Sequence, residues 1–241
     1  MRRFLTGCGA AAIALALASM AFAQAQGPGM SPDAPAKRAA AKLEGDAILA
    51  RAGAAALFDN ISDQPDQDGA VVLQHKGSGL YCLFNPGRSD SEVVLFNPNG
   101  DDVGCHSVTS FDSRTVYATR TSLTLDQEIA AAVMALKVKY PKAKPYKAVV
   151  NPMITKMLTS DKVPPSRTER FLADGNYESV SVAVIDGWAI KYRLSGDAGM
   201  AKFLADAGDG VGWLMYVFKA DTYHKAATPA SPAAPAGQPA S

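Results

Sequence analysis

The sequence predicts an α+β domain: an antiparallel sheet, made of an N-terminal β-meander and a C-terminal hairpin, with helices packed mainly on one face. Three observations predict it. Residues 70–120 are a succession of short strand-like runs separated by Gly, Asn-Pro and Asp turns. A helix with a capping box begins at Thr124. A second strand pair, joined by Asp186-Gly187, follows about sixty residues later. Strands first, then helices interleaved with a hairpin, is an α+β order and not a repeating βαβ order. The same elements could also group as two small subdomains, β then α+β, divided near residue 120.

The chain ends frame this domain. Arg2 and Arg3 precede an uncharged run from Gly9 to Phe22, which closes on Ala21-Phe22-Ala23. A basic head, an apolar middle and an Ala-x-Ala close predict a secretory signal peptide over 1–23, cleaved between Ala23 and Gln24, and hence a periplasmic or secreted bacterial protein. A retained spanning helix would need about 20 apolar residues, and this run is shorter. Cys8 precedes the apolar run, whereas a lipidated Cys would follow it. No transmembrane segment is expected further on. Residues 24–42 and 225–241 are rich in Ala, Pro and Gly, and are predicted to be a disordered linker and tail. The folded domain is expected over 43–224.

Cleavage would leave 22 basic and 23 acidic side chains. A nearly neutral chain carries no bulk attraction for nucleic acid, so nucleic acid is not an expected partner. Only Cys82 and Cys105 would remain, and an even pair in an oxidising compartment predicts a disulfide.

Within the domain, Leu43 to Phe58 reads as an Ala-rich helix weakened by Gly45 and Gly53. Val71-Val72-Leu73-Gln74-His75 and Leu80-Tyr81-Cys82-Leu83-Phe84 read as a hairpin turning at Gly77-Ser78. That register opposes Leu73 to Cys82 and puts Val71, His75, Leu80 and Phe84 on their face, the expected core side. Strands follow at Glu92–Phe96, Val103–Thr109 and Arg114–Arg120. The Thr124 helix carries Leu125, Ile129, Ala132, Val133, Leu136 and Tyr140 on one stripe and stops at Pro141. Lys137, Lys139, Lys142, Lys144 and Lys147 gather at its end, where cations complement the helix dipole and also suit an anionic lipid or polymer.

A short strand is expected at 147–150 and a helical turn at 152–158. Ser166-Arg167-Thr168-Glu169 has capping-box spacing and predicts a short helix closed by Gly175. In the second hairpin Ile185 faces Trp188. Ala183, Ile185, Trp188, Ile190, Tyr192 and Leu194 then share the core face, while Val180, Val182 and Val184 oppose Lys191 and Arg193 on a half-exposed one. Residues 197–207 read as a helix, 208–212 as a loop and 213–219 as a final internal strand.

Chemistry is sparsely marked. No nucleophile elbow, zinc-protease helix, phosphate loop, EF-hand loop or dinucleotide fingerprint occurs, so no cofactor and no metal are expected. The most polar cluster is Asp101-Asp102-Val103-Gly104-Cys105-His106. Asp101, Asp102 and His106 are the candidate catalytic residues, since two carboxylates and an imidazole can do acid–base work. Alternation argues against metal: if Cys105 points inward, His106 points outward, away from His75. The reading is an exported, non-enzymatic binding or envelope-associated domain held by one disulfide, with an envelope component or a small apolar or peptide ligand as partner. The alternatives are a hydrolase using residues 101–106, and a partner-assembly protein.

Overall fold

The computed structural model describes residues 33–227. The expected signal peptide, residues 24–32 of the expected linker, and residues 228–241 of the expected tail lie outside the described residues. The fold is α+β, with two antiparallel sheets.

A first helix, α1 (Ala34–Ala52), ends on Gly53 in a left-handed cap. It begins well before the expected Leu43. Residues 34–42 are therefore helical and not linker, because Ala, Lys and Arg are strong helix formers and Pro35 sits in the first turn, where its missing N–H costs nothing. Three strands follow as one small sheet: β1 (Phe58–Asn60), β2 (Val71–His75) and β3 (Tyr81–Phe84), in that order. Leu73 pairs with Cys82 and His75 N donates to Leu80 O, as the hairpin reading requires.

The expected meander divides here. Strands β4 (Glu92–Leu95), β5 (Asp102–Val108) and β6 (Asp112–Arg120) belong to a second, seven-stranded sheet. The Cys82–Cys105 disulfide crosses from β3 to β5, with a Cα–Cα distance of 5.8 Å. Closing a loop of that size contributes on the order of 3 kcal/mol. It ties the two sheets together through side chains that are both buried.

Helix α2 (Leu125–Lys139) has the predicted capping box: the Gln127 N–H donates to Thr124 Oγ1, and the Thr124 N–H to Gln127 Oε1. The short edge strand lies at β7 (Lys144–Pro145) and not at 147–150, and α3 (Pro152–Leu158) stands where expected. The second capping-box reading fails. Ser166–Ala173 is strand β8, paired with β9 (Asn176–Ile185). Half-buried Ser166, Thr168 and Arg170 alternate with the exposed Arg167 and Glu169, a period of two that no helix can satisfy. β9 turns through Asp186 and Gly187, at φ 48° and 74°, into β10 (Trp188–Asp197). Ile185 pairs with Trp188 as predicted, and positive φ at both turn positions is what Asp-Gly supplies. The sheet order is β4-β5-β6-β10-β9-β8-β7.

The C-terminal segment departs most from expectation. A short α4 (Ala201–Phe203) runs into a π-helix over Leu204–Gly212, where a loop was expected at 208–212. Trp213–Ala227 is then helix α5 and not a strand. Its buried residues are Trp213, Tyr216, Val217 and Ala220, a 3.6-residue period; the apolar run alone suits either state. Trp213 and Tyr216 pack on Tyr192 of β10. At the end of α5, Tyr223 donates to the Lys76 carbonyl (2.6 Å) and His224 Nε2 to that of Ser78 (3.1 Å).

The π-helix is held by a buried carboxylate. Asp209 accepts from Ser179 Oγ (2.5 Å), from the Tyr177 hydroxyl, and from Arg170 Nε (3.0 Å). Burial pushes its carboxyl above the ordinary range, and these three donors oppose that push. Removing one partner of such a buried pair leaves the other uncompensated. Asp209→Ala is expected to cost about 3 kcal/mol in urea unfolding; a loss below about 1 kcal/mol would show that the network does not hold the segment.

His75 lies between Phe58 and Trp188 and is 2% exposed. The Ser78 N–H donates to its Nδ1 (3.1 Å). Burial lowers its pKa to about 4, against a smaller opposing pull from Asp101. The unfolded chain, with an ordinary His pKa of 6.5, therefore binds the extra proton first as pH falls. Its contribution to stability is complete above about pH 6.5 and is lost as pH falls toward 4. Between pH 7 and 5 the wild-type chain is expected to lose about 2 kcal/mol more than His75→Asn. Parallel pH curves for the two proteins would refute this.

Candidate functional site

Alternation across the seven-stranded sheet sorts its polar side chains. On β10, Trp188, Ile190, Tyr192 and Leu194 face the C-terminal helices and the small sheet, and all are buried. Lys191, Arg193 and Ser195 face the other way. The register sets Lys191 beside Tyr117 and Val182, Arg193 beside Thr115 and Val180, and Ser195 beside Ser113 and Glu178. His106 on β5 continues the Arg193 row through Thr115.

This second face is only partly covered. Leu136 of α2 packs with Phe171 and Val180, so α2 lies over β8 and β9. The valines expected to be half-exposed are accordingly more enclosed, with Val180 and Val182 buried. Toward β6 and β5 the helix leaves the face open, and His106, Thr115 and Tyr117 are half-buried. A pocket of about 270 Å³ lies along this margin. Ala131, Ala132 and Ala135 of α2 form one wall, and Val180, Tyr117, Lys191 and Arg193 line the sheet side. Three alanines leave the room that longer side chains would fill. Tyr117 lies close over Gly104, where a Cβ would come within 2.9 Å of its ring.

The two cations in the pocket differ. Lys191 is paired with Glu128 (2.9 Å), which also accepts from Thr121 Oγ1 (2.5 Å). Burial raises the Glu128 carboxyl, but those two partners outweigh it and hold it below its usual range. Arg193 has one face toward the Tyr140 ring, 5.9 Å away, and its Nη2 lies 3.8 Å from Glu178 Oε2. That distance is too long for a hydrogen bond. Glu178 is fully buried and takes its hydrogen bond from Ser195 Oγ (2.6 Å) instead. Arg193 Nη2 and Glu178 Oε2 are both buried without a hydrogen-bond partner. Among the described residues the guanidinium makes no hydrogen bond at all. Its charge is oriented and its donors are unused.

The residues singled out from sequence sit around this face without converging. Asp101 ends the turn before β5 and accepts from Asn99 Nδ2 (2.6 Å). Asp102 accepts from Thr119 Oγ1 (3.0 Å). His106 Nδ1 is 3.2 Å from Thr115 Oγ1, which places His106 on the open side of the Arg193 row. His75 lies in the core of the small sheet, apart from His106. Among the described residues no three His, Cys, Asp or Glu side chains cluster as metal ligands would, and no helix is long and apolar enough to cross a membrane. Sequence reasoning placed Lys191 and Arg193 on one face opposite valines but did not mark them as a site. Glu178, Tyr117 and the alanine wall carried no local signal. The chain matches no family model and no curated protein.

Proposed function

We propose that this chain is an exported, non-enzymatic binding domain whose pocket beside α2 takes a small carboxylate with an apolar body. The observation that carries this reading is Arg193: a half-buried guanidinium on the wall of an open pocket, with no hydrogen bond among the described residues. A carboxylate is the acceptor that strengthens a guanidinium hydrogen bond most, here through the donors of Arg193 other than the buried Nη2. The alanine wall, Val180 and the Tyr117 ring would take the ligand's apolar body, and a volume of about 270 Å³ suits a short alkyl or aryl acid. Lys191, neutralised by Glu128, would add positioning more than net charge. The secretory layout of residues 1–23 and the disulfide support a periplasmic or secreted location.

Calorimetric titration with a panel of short alkyl and aryl carboxylates, each beside its uncharged amide, tests the reading. Acids are expected to bind and amides to bind at least tenfold more weakly, because an ionised acceptor roughly doubles the strength of the hydrogen bond. Arg193→Met should abolish the preference for acids. Ala135→Leu should block binding by filling the pocket, at little cost in stability since its side chain is exposed. Unchanged acid binding in both variants would refute the pocket assignment.

A further inference from the structure

We infer that a second surface, built around α3 and the exposed side of α5, docks on an anionic lipid bilayer. It shares no residue with the Arg193 pocket. From residue 137 to 162 the chain carries seven lysines and one acidic residue, Asp161. Lys137 and Lys139 lie over the rings of Phe171 and Tyr140. The ammonium groups of Lys142, Lys144, Lys147, Lys156 and Lys162 make no ion pair among the described residues. Acidic groups on the adjoining helices are already engaged: Asp206 with Lys202 (2.7 Å) and Asp221 with Lys225 (2.6 Å). Lys162 lines a cleft with Asp161 and Asp186, but the five lysines outnumber these carboxylates, so the surface keeps a net positive charge.

The same region exposes large apolar side chains. An open groove of about 480 Å³ runs between Met157 and Val163 on one side and Val211, Leu214, Met215 and Phe218 on the other. Met157, Val211 and Phe218 are each about half exposed, and Met153, one turn before Met157 on α3, is 68% exposed. Single exposed apolar residues are ordinary, but a contiguous group of this kind marks a surface that something covers. Lys156 and Lys162 are the chain neighbours of Met157 and Val163, and both are exposed.

Apolar side chains that can enter the acyl boundary, beside lysines that can meet phosphates, suit a bilayer surface. A protein partner fits less well, because protein interfaces are depleted in lysine. Long lysine stems can also lie along the apolar surface while their heads reach the headgroups.

The test uses the chain from Gln24 onward, which keeps every described residue and omits the N-terminal apolar run. Sedimentation with phosphatidylglycerol–phosphatidylcholine vesicles is compared with phosphatidylcholine alone. Binding is expected to be at least roughly tenfold tighter with phosphatidylglycerol, and to weaken steeply as salt rises from about 0.1 to 0.5 M. Lys156→Glu with Lys162→Glu should reduce binding by roughly tenfold or more, and the milder Lys156→Gln with Lys162→Gln by less. Met157→Ser with Phe218→Ser should also weaken it. Circular dichroism and unfolding midpoints should stay unchanged in the lysine pairs, whose side chains are exposed. Equal binding to both vesicle types, no binding to either, or undiminished binding by the charge-reversal pair would overturn the inference.

Discussion

The structure depends on the register of β10. It pairs with β6 from Trp188 to Gly196 and with β9 from Trp188 to Asp197. Trp188 opposite Ile185 and Arg120 decides where every later side chain on these three strands points. A slip of one residue would send Tyr192 and Leu194 to the α2 side and bury Lys191 and Arg193 under α5. The Asp186-Gly187 turn holds this register locally. The stacking of Trp213 and Tyr216 on Tyr192 holds it from the core side.

From that register the two faces acquire different roles. The core face is closed three times over: by the disulfide from β3 to β5, by the aromatic contacts of α5, and by the Asp209 network that anchors the π-helix to β8 and β9. The opposite face is closed only where α2 reaches. Leu136, Phe171 and Val180 fix the helix over β8 and β9, and its alanine side is left facing Tyr117 and Arg193. The pocket is thus the margin between a helix that covers half a sheet and a sheet wide enough to extend beyond it. Its polar groups are unequal for the same reason. Lys191 lies under the helix and meets Glu128, whereas Arg193 meets only a ring and a carboxylate already committed to Ser195.

Much of this was legible in the sequence where signals are local and short-ranged. The Thr124 capping box, the Asp-Gly turn, the Leu73–Cys82 register and the cysteine pair each depend on a few adjacent residues or a simple count. The errors occur where one local pattern fits two structures. Ser166 to Glu169 satisfies a capping-box spacing, yet the segment is claimed by pairing with β9. The apolar run from Trp213 suits a strand or a helix, and packing against Tyr192 decides. The first helix begins nine residues before the expected Leu43, because Ala-rich sequence is shared by linkers and helices. The pocket was half legible: alternation put Lys191 and Arg193 together, but which half of that face α2 leaves open is a long-range packing outcome. His106 was found for its company with Asp101 and Asp102, and it stands beside the Arg193 row for a different reason, the β5–β6 register.

The central claim is that β10 divides its side chains between a sealed core and an open pocket margin. Single cysteines placed in turn at 191, 192, 193 and 194, in the folded protein with its native disulfide intact, test it most directly through their alkylation rates. Modification is expected to be fast at 191 and 193, with strong protection at 192 and 194. Protection at 191 and 193, or equal rates at all four positions, would contradict it.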